Sequence, residues 1–151
     1  MEIRAHTGLH IIKGAARKVL GDDAKWTAGV HVSENRGRLN LQFDRKPSDE
    51  EIKQIEIEAN ALVQLNLPVI TYNMTQMDAR ERFGDEHLDI FPIPESIKTI
   101  TVVEIKEWNI NACNKPHTKT TGEVGVIKIR KIRFRKMKER LEISFMIEPN
   151  G

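Results

Sequence analysis

Residues 26–43, WTAGVHVSENRGRLNLQF, decide the fold. Trp26, Ala28, Val30 and Val32 fall on one face of an extended segment, and Thr27, Gly29, His31 and Ser33 on the other. The alternation resumes over 38–43, with Leu39, Leu41 and Phe43 inward. Asn35, Arg36 and Gly37 lie between the two runs and supply turn chemistry, so the segment predicts a β-hairpin. Upstream, Leu9, Ile12, Ala16, Val19 and Leu20 recur at helical spacing within 5–20, and Gly21 is a stop signal. Downstream, Ser48 and Glu51 form a capping-box pattern after Pro47. A helix follows to about Asn66, with Ile52, Ile55, Ala59, Leu62 and Val63 on its buried side.

The remaining pattern is strand at 68–73, short helix at 75–83, and a loop at 84–98 containing two prolines. Strands near 99–107 and 109–113 precede a polar loop at 114–122, and the last strands run over 126–136 and 140–147. In the first of these last strands, Ile127 and Ile129 keep one phase while Ile132 and Phe134 keep the other, which predicts a bulge near Arg130 and Lys131. This order reads as α+β, with helices packed on one face of a largely antiparallel β-sheet. The 151 residues fit one domain spanning 1–151.

Apolar residues make up 39% and charged residues 30%, which excludes a disordered tail. No apolar run reaches the roughly 18 residues of a spanning helix, so no membrane partner is expected. Glu2, Arg4, His6 and His10 break any secretory signal in the first ten residues. A single cysteine, Cys113, cannot make an intrachain disulfide. Together these predict a cytoplasmic protein. The net charge of +2 conceals a polarity: residues 128–140 hold eight basic residues and one acid. Lys128, Arg130, Arg133 and Arg135 lie along the strand there. Such a row either contacts the phosphates of a nucleic acid or is the solvated face of an edge strand. Aromatic residues are only 5%, too few for a general base-stacking platform.

His6 and His10 are four apart on a helix, which puts both imidazoles on one face. Cys113 and His117 repeat the spacing at the end of a strand. A His-x3-His pair with a Cys-x3-His pair suits one zinc ion per chain. The alternative is a surface histidine pair and a buried structural thiol. Thr7 stands where a zincin has glutamate, and the deaminase elements are absent. No glycine-rich phosphate loop occurs, so no nucleotide cofactor is expected.

His6-Thr7-Gly8-Leu9-His10, followed far downstream by the run from Cys113 through Asn114, Lys115, Pro116 and His117 to Gly125, resembles the freestanding alanyl-tRNA editing proteins of the AlaX type. These are similar to the editing domains of alanyl- and threonyl-tRNA synthetases. The resemblance takes in Arg38-Leu39-Asn40-Leu41, the Glu56 to Asn60 stretch, and Phe83-Gly84. Asn114 and Lys115 replace two glycines of the synthetase-like pattern, as in short AlaX proteins; the chain also begins at the first motif, like the short form. The resemblance implies a synthetase editing-domain-like fold. It implies zinc-dependent hydrolysis of tRNA-Ala mischarged with serine or glycine, with His6, His10, Cys113 and His117 as ligands. A non-catalytic zinc-stabilised tRNA-binding module is the rival reading. Thr27 falls where the family lines its amino-acid pocket, and is otherwise an ordinary strand residue. Thr118, Thr120 and Thr121 line the same site or cap a turn. No carboxylate is placed by spacing as the general base; Glu123 is nearest by motif, and a turn role fits it equally. His31 shares the face of Thr27 in the simple alternation, and His87 is expected to be exposed in its polar loop.

Overall fold

The computed structural model describes residues 2–148. Helix α1 (Glu2–Leu20) leads to β1 (Thr27–Ser33) and β2 (Arg36–Gln42), then α2 (Asp49–Leu65), β3 (Ile70–Thr75) and α3 (Gln76–Phe83). Strands β4 (Thr99–Ile105), β5 (Asn109–Ala112), β6 (Ile127–Arg135) and β7 (Arg140–Ile147) complete the fold. All strand pairings are antiparallel, as expected, but the strands make two sheets and not one. The larger has the order β1-β2-β7-β6 and the smaller β3-β4-β5. The division follows the apolar residues. One core joins α1 and α2 to Leu39, Leu41, Ile143 and Phe145, while a smaller one gathers Ala79, Ile100 and Val102 under α3. Between sheets the backbone makes an isolated bridge at Pro68 and Thr120.

Helix α2 starts as its sequence demands. Ser48 accepts from the Glu51 amide, and the Glu51 carboxylate accepts from the Ser48 amide. It ends at Asn66, which adopts a left-handed conformation. Along its length, the Asn60 side chain donates to the Ile127 carbonyl and accepts from the Ile127 amide, both at 2.9 Å. Glu56 accepts from the Ile129 amide at 3.1 Å. The free edge of β6 is thereby covered at Ile127 and Ile129 by side chains of α2.

Two details of the first hairpin differ from the alternation. Its turn is Glu34–Asn35, between the paired Ser33 and Arg36, with Glu34 at φ 55°. A bulge separates Thr27 from Gly29, so Thr27 pairs with Leu41 and Gly29 with Asn40. The extra residue reverses the phase. Thr27 therefore points into the protein and is 4% exposed, while His31 lies outside beside Arg38. The second bulge falls where the sequence places it, between Ile129 and Lys131.

Contacts to α1 place the site. Gly14 leaves room for the Trp108 indole, whose Nε1 donates to the Ile11 carbonyl at 2.9 Å. This pins the β4–β5 turn to α1 and brings the end of β5 next to His10. The loop at 84–98 folds over the same end: Ile90 donates to the Thr27 carbonyl, and Ala112 to the His87 carbonyl. His87 is consequently 2% exposed, contrary to the expectation of a solvated side chain. No helix of the described residues is long and apolar enough to cross a membrane.

Candidate metal centre and substrate cavity

Helix α1 presents His6, His10 and Lys13 at intervals of four and three residues, on one face. Cys113 follows β5 directly, and His117 comes from the next loop. His10 and His117 meet with Nε2 atoms 2.9 Å apart. The ligand atoms of His10, Cys113 and His117 all lie within 4.8 Å of one another. Ligand atoms around tetrahedral zinc are roughly 3.3–3.8 Å apart, so the cluster has the right scale. The His6 ring centroid is 6.2 Å from that of His117; His6 stands outside this tight group but lines the same cavity.

The electrostatics fit a cation. Burial, then the nearby His117, Lys13 and His6, hold His10 well below the ordinary imidazole range. Burial, then His6, lowers His117 to about 4. Burial also lowers His6. All three rings are thus neutral near pH 7, the form that donates a lone pair to a metal. Burial raises the Cys113 thiol, while the Lys115 backbone partly offsets it. Two neutral imidazole nitrogens facing each other beside a thiol are a donor set that fits zinc. Asn109 lies against the other side of the ring, its Nδ2 3.2 Å from His10 Nδ1.

Beside the cluster is a cavity of about 110 Å³, bordered by His6, His10, Thr27, Lys13, Asp89 and Cys113. It is well below the roughly 300–1,000 Å³ of pockets for larger ligands. Surface hollows of about 480 and 680 Å³ occur at Trp108 and at α3, and neither is bordered by a histidine or cysteine. In the small cavity the Thr27 hydroxyl is buried with no hydrogen-bond partner among the described residues. Such a group is costly unless something else satisfies it.

Three further residues of this site escaped the sequence reading. Lys13 is 4% exposed, and its Nζ donates to Asn111 Oδ1 at 2.8 Å. The Asn111 amide donates in turn to Asp89 Oδ1 at 3.1 Å. Burial lowers Lys13 to about 8, against the pull of Asp89. Burial raises Asp89, opposed by Lys13. The position of Lys13, one turn after His10, was a signal available in the sequence. Nothing in the pattern around Asp89 marks it.

The loop threonines are occupied elsewhere. Thr118 Oγ1 donates to the Thr120 carbonyl and packs against Thr7 Oγ1, which accepts from the Thr118 amide. Thr120 and Glu123 form a capping box at the short helical turn Thr121–Val124. Thr121 Oγ1 donates to the Leu62 carbonyl and accepts from the Leu67 amide. None of the three borders the cavity.

The strand register places Lys128, Lys131, Arg133 and Arg135 on the outer face of the larger sheet, with Arg130 at the bulge. Arg36 and Arg38 of β2 share that face, an extension not evident from the local charge run. Arg135 pairs with Glu142 at 2.8 Å. His31, Arg36, Arg38 and Arg130 border a shallow hollow of about 390 Å³ there.

Residues 100–142 match the family model of the threonyl and alanyl tRNA synthetase second additional domain. An alanine–tRNA ligase of Methanopyrus kandleri is 44% identical over 126 residues, which cover 83% of this chain and 13% of that protein. One from Korarchaeum cryptofilum is 37% identical over 145 residues, covering 94% of the chain and 16% of the relative. One from Saccharolobus islandicus is 36% identical over 129 residues, covering 84% and 14%. The chain therefore spans only a small part of the length of these curated relatives.

Proposed function

The chain is an AlaX-like relative of the alanyl-tRNA synthetase editing domain, and from that premise we propose that it hydrolyses tRNA-Ala mischarged with serine, and with glycine, in a zinc-dependent manner. The observation that carries this reading is the unpartnered Thr27 hydroxyl in a small cavity beside His10, Cys113 and His117. The seryl side chain offers the hydroxyl that Thr27 lacks a partner for; the alanyl methyl does not. A small apolar pocket in a synthetase rejects an added hydroxyl only about 100-fold, so a second site that pairs with that hydroxyl sorts in the opposite sense. Alanyl-tRNA is spared because its methyl leaves Thr27 unsatisfied.

His10, Cys113 and His117 would hold the zinc, with His6 as fourth donor from the adjacent turn. The ion when bound supplies Lewis acidity at an ester that water cleaves. The protein's own contribution is orientation. Thr27 reads the side chain, and the loop at 84–98 covers the cavity. Thr118, Thr120 and Thr121 act by shaping the loop that carries His117. Lys128, Arg130, Arg133 and Arg135, joined by Arg36 and Arg38, would take the phosphates of the tRNA on the outer face of the same sheet whose inner residues border the cavity. A cytoplasmic location agrees with a tRNA substrate.

The test is deacylation of seryl-tRNA-Ala and alanyl-tRNA-Ala by the purified chain. Turnover of the seryl ester with the alanyl ester spared is expected. Binding of both without turnover would favour a non-catalytic, zinc-stabilised tRNA-binding module.

A further inference from the structure

The outer face of the larger sheet gathers positive charge at one point more densely than a row of backbone phosphates requires. Arg36, Arg38 and Arg130 surround a single hollow of about 390 Å³, together with His31, Ser33 and Ser144. The strand register produces this convergence. Arg38 stands between His31 of β1 and Ser144 of β7, and Arg36 lies two residues before it, opposite Ser33. Arg130 enters from the β6 bulge, its Nη1 3.5 Å from Met146 Sδ. Other cations on β6 have acidic neighbours: Lys128 has Glu148 at 4.0 Å, and Arg135 has Glu142 at 2.8 Å. Among the described residues, no carboxylate oxygen lies within 4 Å of Arg36, Arg38 or Arg130. Guanidinium groups gathered on one hollow without a counter-charge repel one another, at a cost to the bare protein. An anion seated among them removes that cost.

We propose that this hollow receives the terminal 5′-phosphate of the tRNA, while the 3′-end passes round the edge of β1 to the metal cavity. This rests on reading the chain as acting on aminoacyl-tRNA. A backbone phosphodiester offers two unbridged oxygens and one charge. A terminal monoester offers three oxygens and a charge of roughly −1.5 to −2 at pH 7. Three guanidinium forks with two serine hydroxyls match the second group better than the first. Topology supplies an independent reason. His31 and Arg38 border the hollow, and their chain neighbours Val30 and Leu39 border the metal cavity from the opposite face of the same two strands. The two sites are therefore about one sheet thickness apart, on the order of 10–15 Å. The strand order puts β1 at the edge of its sheet. Val30 borders the cavity and is still 55% exposed, so the cavity opens at that edge. In a tRNA the 5′-phosphate closes the acceptor duplex, and the esterified 3′-end extends past it as a short unpaired tail. Holding the phosphate on one side of an edge strand and the ester on the other gauges the length of that tail.

The experiment measures binding of uncharged tRNA-Ala in two forms, with its 5′-monophosphate and after phosphatase treatment to the 5′-hydroxyl. Neither zinc nor turnover enters the measurement. Wild type should prefer the phosphorylated form by about tenfold at low salt, the lower end of the range for hydrogen bonds to charged groups. Arg38→Gln and Arg130→Gln should each lose most of that preference. Arg133→Gln, on the same face but outside the hollow, should weaken both forms alike and keep the preference. Equal wild-type affinity for the two forms would overturn the proposal. So would a preference that survives both Arg38→Gln and Arg130→Gln, since the phosphate would then sit elsewhere. Failure of wild type to bind either form would instead defeat the tRNA reading, and this inference with it.

Discussion

His10 and His117 are 107 residues apart in the chain, and their Nε2 atoms are 2.9 Å apart in the fold. Without an ion, the two neutral rings share a single N–H···N hydrogen bond here, whereas a cation would draw a lone pair from each. The fold invests in the contact. Trp108 anchors the β4–β5 turn to α1, Asn109 lies against His10, and Thr7 anchors the loop carrying His117 through the Thr118 amide.

Zinc content should follow this geometry. His10→Ala and Cys113→Ser should each lose bound zinc after dialysis against a weak chelator. Metal analysis and competition titration check this; full occupancy in both ligand variants would remove the cluster as the site.

Thr27→Val should change activity far more than stability. Seryl-tRNA turnover should fall by about 5- to 150-fold, since a lost hydrogen bond in a dry site costs roughly 1–3 kcal/mol. Alanyl-tRNA turnover should hold or rise. The fold should change in stability by less than about 1 kcal/mol, because the buried hydroxyl has no partner within hydrogen-bond distance and only steadies Asp89. Paired deacylation rates and urea unfolding measure both effects.

The phase of Thr27 shows where sequence reading stops. The hairpin at 26–43 was legible because alternation and turn residues are local, and so were both x3-spaced pairs. The bulge at Thr27–Gly29 was not, since a one-residue slip leaves small residues such as Ala28 and Gly29 acceptable in either phase. Division into two sheets depends on which strands find partners, a long-range outcome. Asp89 and His87 lie in a loop whose composition reads as solvated, and long-range hydrogen bonds to Thr27, Asn111 and Ala112 turn it inward. The slip at Ile129–Lys131 was visible because large apolar residues mark both phases there.

Lys13 should leave a signature in the pH dependence of stability. Its folded value is about 8 against an ordinary 10.5. Between these, the unfolded chain holds a proton that the folded chain has released, so stability rises with pH across that window. The gain is up to about 3 kcal/mol. Below pH 8 it is lost. Urea unfolding at pH 7.5 and 10.5 should show wild type gaining on Lys13→Met by about this amount; a constant difference would mean that Lys13 is not held in a dry site.

Docking on the outer sheet face should appear in the salt dependence of tRNA binding. Arg38→Gln and Arg133→Gln should each weaken affinity and reduce the log–log salt slope by about 0.7–0.9. Zinc content should not change. Unaltered slopes would move the docking surface elsewhere.

Asn60→Ala should destabilise the fold by about 2–3 kcal/mol. It strips partners from both backbone groups of Ile127, a fully buried residue. Denaturant unfolding at fixed zinc concentration reads this out, and a cost below about 0.5 kcal/mol would mean that the edge of β6 is satisfied by water.

The most direct measurement of the central claim is deacylation of seryl- and alanyl-tRNA-Ala in parallel, by protein as purified, after chelation, and after zinc is restored. The expected result is hydrolysis of the seryl ester by the zinc-bound protein, its loss on chelation, its return with zinc, and little alanyl turnover throughout. Equal hydrolysis of the two esters, or seryl turnover indifferent to chelation in protein shown to be metal-free, would contradict it.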